Sequence, residues 1–121
     1  MKIKTAELTG AALDWAVAEC EGNVRLQYDS REGLIISNIL GWIPYRPSVA
    51  WVQGGPIIER EEIQTYVANA VDGKWCAKPR DREYWDFDGA AYGPTPLIAA
   101  MRCYVASKLG DEVDVPEELL P

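Results

Sequence analysis

The chain has 121 residues, 48% of them hydrophobic and 26% charged, with a formal net charge of −7. That length suits one domain with a core that needs no covalent staples, and no apolar run approaches the ~20 residues that cross a bilayer. Histidine is absent, which excludes Ser-His-Asp and Cys-His nucleophiles, histidine acid–base work and every histidine-bearing metal site.

The charge is unevenly placed. Five acids (Asp111, Glu112, Asp114, Glu117, Glu118) and no base follow Gly110, leaving 14 acids against 12 bases before it. The expectation is a nearly neutral body, residues 1–121 forming a single domain, with a solvated acidic tail from about 111. No Lys/Arg surplus marks a nucleic-acid face, so phosphate neutralisation is not expected. Cys20, Cys76 and Cys103 are odd in number and match no zinc spacing, and read as buried free thiols. Met1–Glu7 lacks the apolar core of a secretory leader, so the expected location is cytoplasmic.

The first predicted helix spans 9–21. Thr9 suits its N-cap, Leu13, Ala16, Val17 and Cys20 make its apolar stripe, and Gly22 stops it. Asp14 lies inside it with no base three or four positions away. Residues 23–28 and 34–40 are β-rich runs around the turn composition of Asp29–Gly33, and read as a loose hairpin. Residues 41–56 hold three prolines and three glycines and read as a long, ordered aromatic loop, a length that is often functional. Residues 57–71 carry two patterns: a helical stripe of Ile63, Tyr66, Val67, Ala70 and Val71, and a β-rich run before Asp72-Gly73 and Lys74–Ala77. The hairpin accounts for more residues and is favoured. Residues 78–92 read as a polar, aromatic connection.

The last helix has written start and stop signals. Thr95 suits the N-cap, Pro96 the first helical position and Gly110 the residue past its end. Between Leu97 and Ser107 its only charge is Arg102. Val113 and Val115 suit a short extended stretch, with a terminal turn from Pro116. The expected fold class is α+β, a small antiparallel sheet with two helices packed on one face.

Three segments also carry a resemblance. Thr5–Ala18, Tyr45–Glu61 and Gly93–Leu119 together look like the opening motif, central loop and closing helix of the NinX-like family, small proteins of the nin region of lambdoid phages. The resemblance implies a phage or prophage origin and expression in the bacterial host cytoplasm, and it supplies no activity.

Candidate chemistry rests on few residues. A buried Arg102 requires a carboxylate or an anion, because an uncompensated buried charge costs roughly 3–5 kcal/mol. The favoured reading is a structural ion pair between Asp14 and Arg102; the others are snorkelling to solvent and an arginine lining a ligand pocket. Gly54-Gly55-Pro56 reads as a tight turn in preference to an anion cradle, since it lacks the P-loop lysine. Asp86-Phe87-Asp88 and Glu59–Glu62 are too short to argue for a metal, and no metal or cofactor is expected. Trp51 is the tryptophan expected to be exposed, as an aromatic anchor. The binding candidates are therefore Tyr45, Trp51, Gln53, Gly54, Gly55, Arg60 and Arg102, with no catalytic set. The expected function is a non-catalytic module that binds a host or phage protein. The alternative is a site near Arg102 for an anion or metal, or a carboxylate-dependent enzyme.

Overall fold

A computed structural model describes residues 1–22, 25–38, 41–69, 71–83 and 85–121. The outer ends of the two predicted strand runs (Asn23, Val24, Ile39, Leu40) and Ala70 lie outside the described residues. The elements, in order, are β1 (Lys2–Lys4), a 3-10 turn (Thr5–Glu7), α1 (Gly10–Glu21), β2 (Leu26–Asp29), β3 (Gly33–Asn38) and β4 (Gly41–Pro44). Then come α2 (Trp51–Glu61), β5 (Gln64–Asn69), β6 (Lys74–Lys78), β7 (Ala91–Gly93), α3 (Pro96–Leu109), β8 (Glu112–Asp114) and a closing 3-10 turn (Glu117–Leu119). The class is α+β, as composition and pattern imply. Its layout differs from the expected one: the described residues form three helices and three small antiparallel sheets, ordered β1-β8, β2-β3-β4 and β5-β6-β7.

α3 is the central helix. Leu97, Ala99, Ala100, Met101, Cys103, Tyr104 and Val105 are all buried, a spread that covers most of its circumference rather than one stripe. The β5-β6-β7 sheet, α1 and α2 all pack on it. Its ends follow the sequence signals: Thr95 Oγ1 accepts from the Ile98 amide at 3.0 Å, and Gly110 takes φ 87°. α1 likewise begins after Thr9 and stops at Gly22.

The two predicted hairpins form. β2 pairs with β3 around a turn in which Asp29 accepts from the amides of Arg31 and Glu32. β5 pairs with β6 across Asp72-Gly73, and β7 adds to β6 from within the stretch read as a connection.

Residues 41–56 are not one loop. Gly41–Pro44 is a strand paired with β3, and a turn at 46–50 leads into α2, which contains Gly54, Gly55 and Pro56. Three local reasons let the helix absorb residues that read as a breaker. Pro56 has a helix-compatible φ. Gly55 before it has no Cβ to clash with the proline ring, the clash that normally bars helix at that position. Gly54 is buried where a Cβ would press on the Pro47 carbonyl and come 2.6 Å from Leu97 Cδ1. The glycine is there for close packing, not for a turn.

The segment after Gly110 is not a free tail. β8 pairs with β1 so that Ile3 faces Val113, while Lys2 stands opposite Asp114 and Lys4 opposite Glu112. Cross-strand pairs of opposite charge favour that register. The Met1 ammonium donates to Asp114 Oδ1 at 2.8 Å, and buried Thr5 donates through Oγ1 to the Gly110 carbonyl at 2.6 Å. Val113, Val115 and Leu119 belong to the core.

Candidate functional site

Asp14 and Arg102 do not pair. α1 and α3 do pack together, but their lone charges are answered by backbone. Asp14 is 4% exposed, and its Oδ1 accepts from the amide of Ser48, itself 1% exposed, at 2.8 Å. Burial pushes the Asp14 carboxyl up to about 6, against the lowering pull of the Ser48 contacts and the Arg46 charge. Arg102 donates through Nε to the Leu8 carbonyl and through Nη1 to the Tyr92 carbonyl, each at 2.8 Å. Burial alone lowers its pKa. The expected Asp14–Arg102 ion pair does not form, because other groups reach the two charges first. Two carbonyls and one amide were equally able to answer the charges.

The Ser48 turn organises the region read as the central loop. Arg46 donates its amide to Gln53 Oε1 at 2.6 Å, and Gln53 Nε2 donates back to the Pro44 carbonyl at 2.8 Å. The Ala50 amide bonds the Arg46 carbonyl at 2.7 Å. Gln53 thus closes the turn across seven residues, Gly54 seats it against Leu97, and Ser48 ties it to α1. Pro47 and Ser48 are buried, while three of its larger apolar residues point the other way: Val49 is 64% exposed, Trp51 57% and Val52 84%. Such a cluster of exposed apolar side chains is more informative than a single one.

The structure therefore divides the residues nominated from the sequence. Trp51 is exposed, as expected, but it is not singular among the tryptophans: Trp85 is 73% exposed and Trp42 46%. Tyr45 is buried in the core, and its phenol is held above its ordinary pKa by burial and by the charges of Glu21 and Asp14. Gln53 and Gly54 serve the turn, and Gly55 makes room for Pro56. Arg60 belongs to a clasp between the helices: Nη1 and Nη2 meet both Glu21 oxygens at 3.1 and 2.7 Å, Nε meets Glu61 at 2.9 Å, and Nη2 reaches Tyr104 Oη at 3.1 Å. Tyr104 in turn donates to Glu21 Oε2 at 2.6 Å. The Arg60 hydrogen bonds hold Glu21 below the usual carboxylate range.

Two further sequence readings are answered locally. Asp86 and Asp88 both face Arg82, at 3.8 and 3.4 Å, so the Asp-x-Asp is organised around a guanidinium. The thiols of Cys20 and Cys103 are each pushed up to about 11 by burial, which leaves little thiolate at neutral pH.

The alternative reading placed a site near Arg102, and the structure adds lining residues that the sequence did not nominate. A cleft of about 920 Å³ opens beside Arg102, bounded by β7, α3, the β5-β6 turn and the β1-β8 pair. Lys4, Lys74 and Tyr92 line it with Arg102. No spacing rule brings residues 4, 74, 92 and 102 together. Only the β1-β8 pairing and the seating of β7 on α3 do so.

The molecule is thus a small α+β protein with an outward-facing apolar turn at the start of α2 and a separate cleft against α3, mainly apolar with charged residues among its lining. Residues 4–108 match the family model described as Bacteriophage P22, NinX, and the chain belongs to that phage family. No curated protein matches the chain. No helix among the described residues is long and apolar enough to cross a membrane.

Proposed function

We propose that this phage protein acts as a non-catalytic accessory that binds a host or phage protein in the host cytoplasm, through the apolar ridge Val49, Trp51 and Val52. The observation that supports the reading is the cluster of exposed apolar side chains on the pinned 46–54 turn. Three large apolar side chains within four residues face water, on backbone pinned by Gln53, Ser48 and Gly54. An anchor held rigid loses little entropy on binding, and a tryptophan in such a place is the commonest kind of hot spot. The acidic segment from 111 is a lesser candidate, since its apolar residues are committed to the core.

The test is capture from host lysate, with and without phage proteins, on immobilised wild type and on Trp51→Ala and Val52→Glu. Both variants should melt with the wild type, because neither side chain is buried. Loss of the captured partner in both supports the ridge. Equal capture by all three proteins means that another surface binds, or that none does.

A further inference from the structure

Arg102 differs from the arginines that the fold uses as ties. Arg60, Arg80 and Arg82 each have a carboxylate within ion-pair distance. Arg102 is half-buried and has none among the described residues. Two of its five N–H groups go to the Leu8 and Tyr92 carbonyls, and the remaining three have no partner among the described residues. Carbonyl dipoles hold a guanidinium in place but do not neutralise it, so its outward N–H groups remain able to take an anion.

The cleft beside it suits the rest of a ligand. About 920 Å³ is within the range of small-molecule sites. Ala91 and Ala106 supply apolar wall, and the Tyr92 ring is overlain by the Lys74 ammonium at 4.9 Å. Three acids, Asp72, Asp111 and Glu112, line the cleft beside Lys4, Lys74 and Arg102. Asp72 Oδ1 accepts from the backbone amide of Lys74 at 3.2 Å, and Glu112 stands opposite Lys4 across the β1-β8 pair. Arg102 is the guanidinium of this wall, and none of the three acids lies within ion-pair distance of it.

We propose that this cleft binds a small organic monocarboxylate, with its carboxylate on the outward N–H groups of Arg102 and its apolar body against Ala91, Ala106 and the Tyr92 ring. The planar fork of arginine matches a carboxylate. A dianionic phosphate would meet three lining acids, Asp72, Asp111 and Glu112, in a chain of net charge −7, so the single charge is favoured. This site uses different residues from the Val49–Val52 ridge and stands or falls independently of it.

The experiment is a nitrogen–proton NMR titration of the full chain with benzoate, benzamide and phenyl phosphate. Benzoate, with nine non-hydrogen atoms, should saturate with a Kd of about millimolar. It should move the Arg102 Nε–H signal and the amides of Tyr92 and Gly93. Benzamide, which has the same shape without the charge, should bind at least roughly tenfold more weakly, the usual size of a lost charge-assisted hydrogen bond. Phenyl phosphate should also bind more weakly than benzoate. Arg102→Gln should abolish the benzoate shifts. Because that change could also disturb the fold, Ala106→Leu provides a second variant, which keeps the arginine and fills the wall. It should weaken benzoate by roughly tenfold while leaving the Arg102 signal in place. Equal affinity for benzoate and benzamide, tighter binding of phenyl phosphate, an unchanged benzoate affinity in Ala106→Leu, or no saturable shift with benzoate would each overturn the proposal.

Discussion

Asp14 on α1 is sealed beneath one turn of the chain and is answered by Ser48 through its amide and its side chain, whereas Arg102 on α3 divides its guanidinium between two carbonyls and an open cleft. Both are mid-helix charges, and their helices touch. Pairing them would have required the two side chains to meet across that contact. The chain instead brings other segments to each, the Ser48 turn to Asp14 and β7 with the Leu8 segment to Arg102. The Asp14 solution orders a segment of about nine residues and exposes its apolar side. The Arg102 solution leaves a cation at the edge of a cavity. A buried charge is therefore not by itself a sign of a salt bridge, since backbone dipoles serve as well and leave different surfaces behind.

Each solution depends on a glycine at a close approach, and this yields the largest expected effects. Gly54→Val should destabilise by about 3 kcal/mol or more, because its Cβ would strike the Pro47 carbonyl, which is backbone and cannot rotate away. Gly93→Ala on the Arg102 side should cost less, about 1–2 kcal/mol, with a Cβ 3.0 Å from the Ala99 nitrogen and Ile98 Cγ2. Thermal unfolding of the two variants ranks them. The reverse order would mean that the cleft wall is the more tightly packed region.

Next comes pH. Asp14 titrates at about 6 in the fold against 3.8 for an ordinary aspartate, so between those values the native state holds a proton that the unfolded chain releases. Its contribution is therefore most favourable below pH 4, and stability is lost as pH rises through 6, by on the order of 3 kcal/mol. Urea unfolding of wild type and Asp14→Asn across pH 4–7 isolates this, because asparagine keeps an oxygen for Ser48 and does not titrate. Glu21, Asp29 and Asp114, all held low by hydrogen bonds in the fold, act in the opposite sense in more acid solution and are common to both proteins. Parallel profiles would place Asp14 in water.

A double-mutant cycle then addresses the separation directly. Asp14→Ala and Arg102→Ala should each cost roughly 1–3 kcal/mol, from backbone groups left unsatisfied. The double variant should equal their sum to within about 0.5 kcal/mol, as for sites that share no partner. A coupling well above that would restore the ion pair. The smallest effect belongs to the outer side of the Asp14 turn: Trp51→Ala and Val52→Glu should shift stability by no more than about 0.5 kcal/mol. A larger loss of melting temperature would show that these residues pack rather than protrude.

Elements whose signals are local were legible in the residue string. Thr95-Pro96 and Gly110 bound α3, Gly22 ends α1, Asp72-Gly73 turns β5 into β6, and the NinX resemblance was legible in segments spread along the chain. Each depends on the conformational preferences of a few adjacent residues. The tertiary structure decided what depends on close approach. Gly54-Gly55-Pro56 reads as a breaker until Leu97 and Pro47 are seen to need the space that a side chain would take. The acidic end reads as a solvated tail until Lys2 and Lys4 stand opposite it. Asp14 and Arg102 read as partners until the Ser48 amide and the Leu8 and Tyr92 carbonyls come closer. Backbone donors and acceptors are identical at almost every position, so nothing in the residue string shows which of them will reach a buried charge. Only the packing of α1, α3 and β7 determines that.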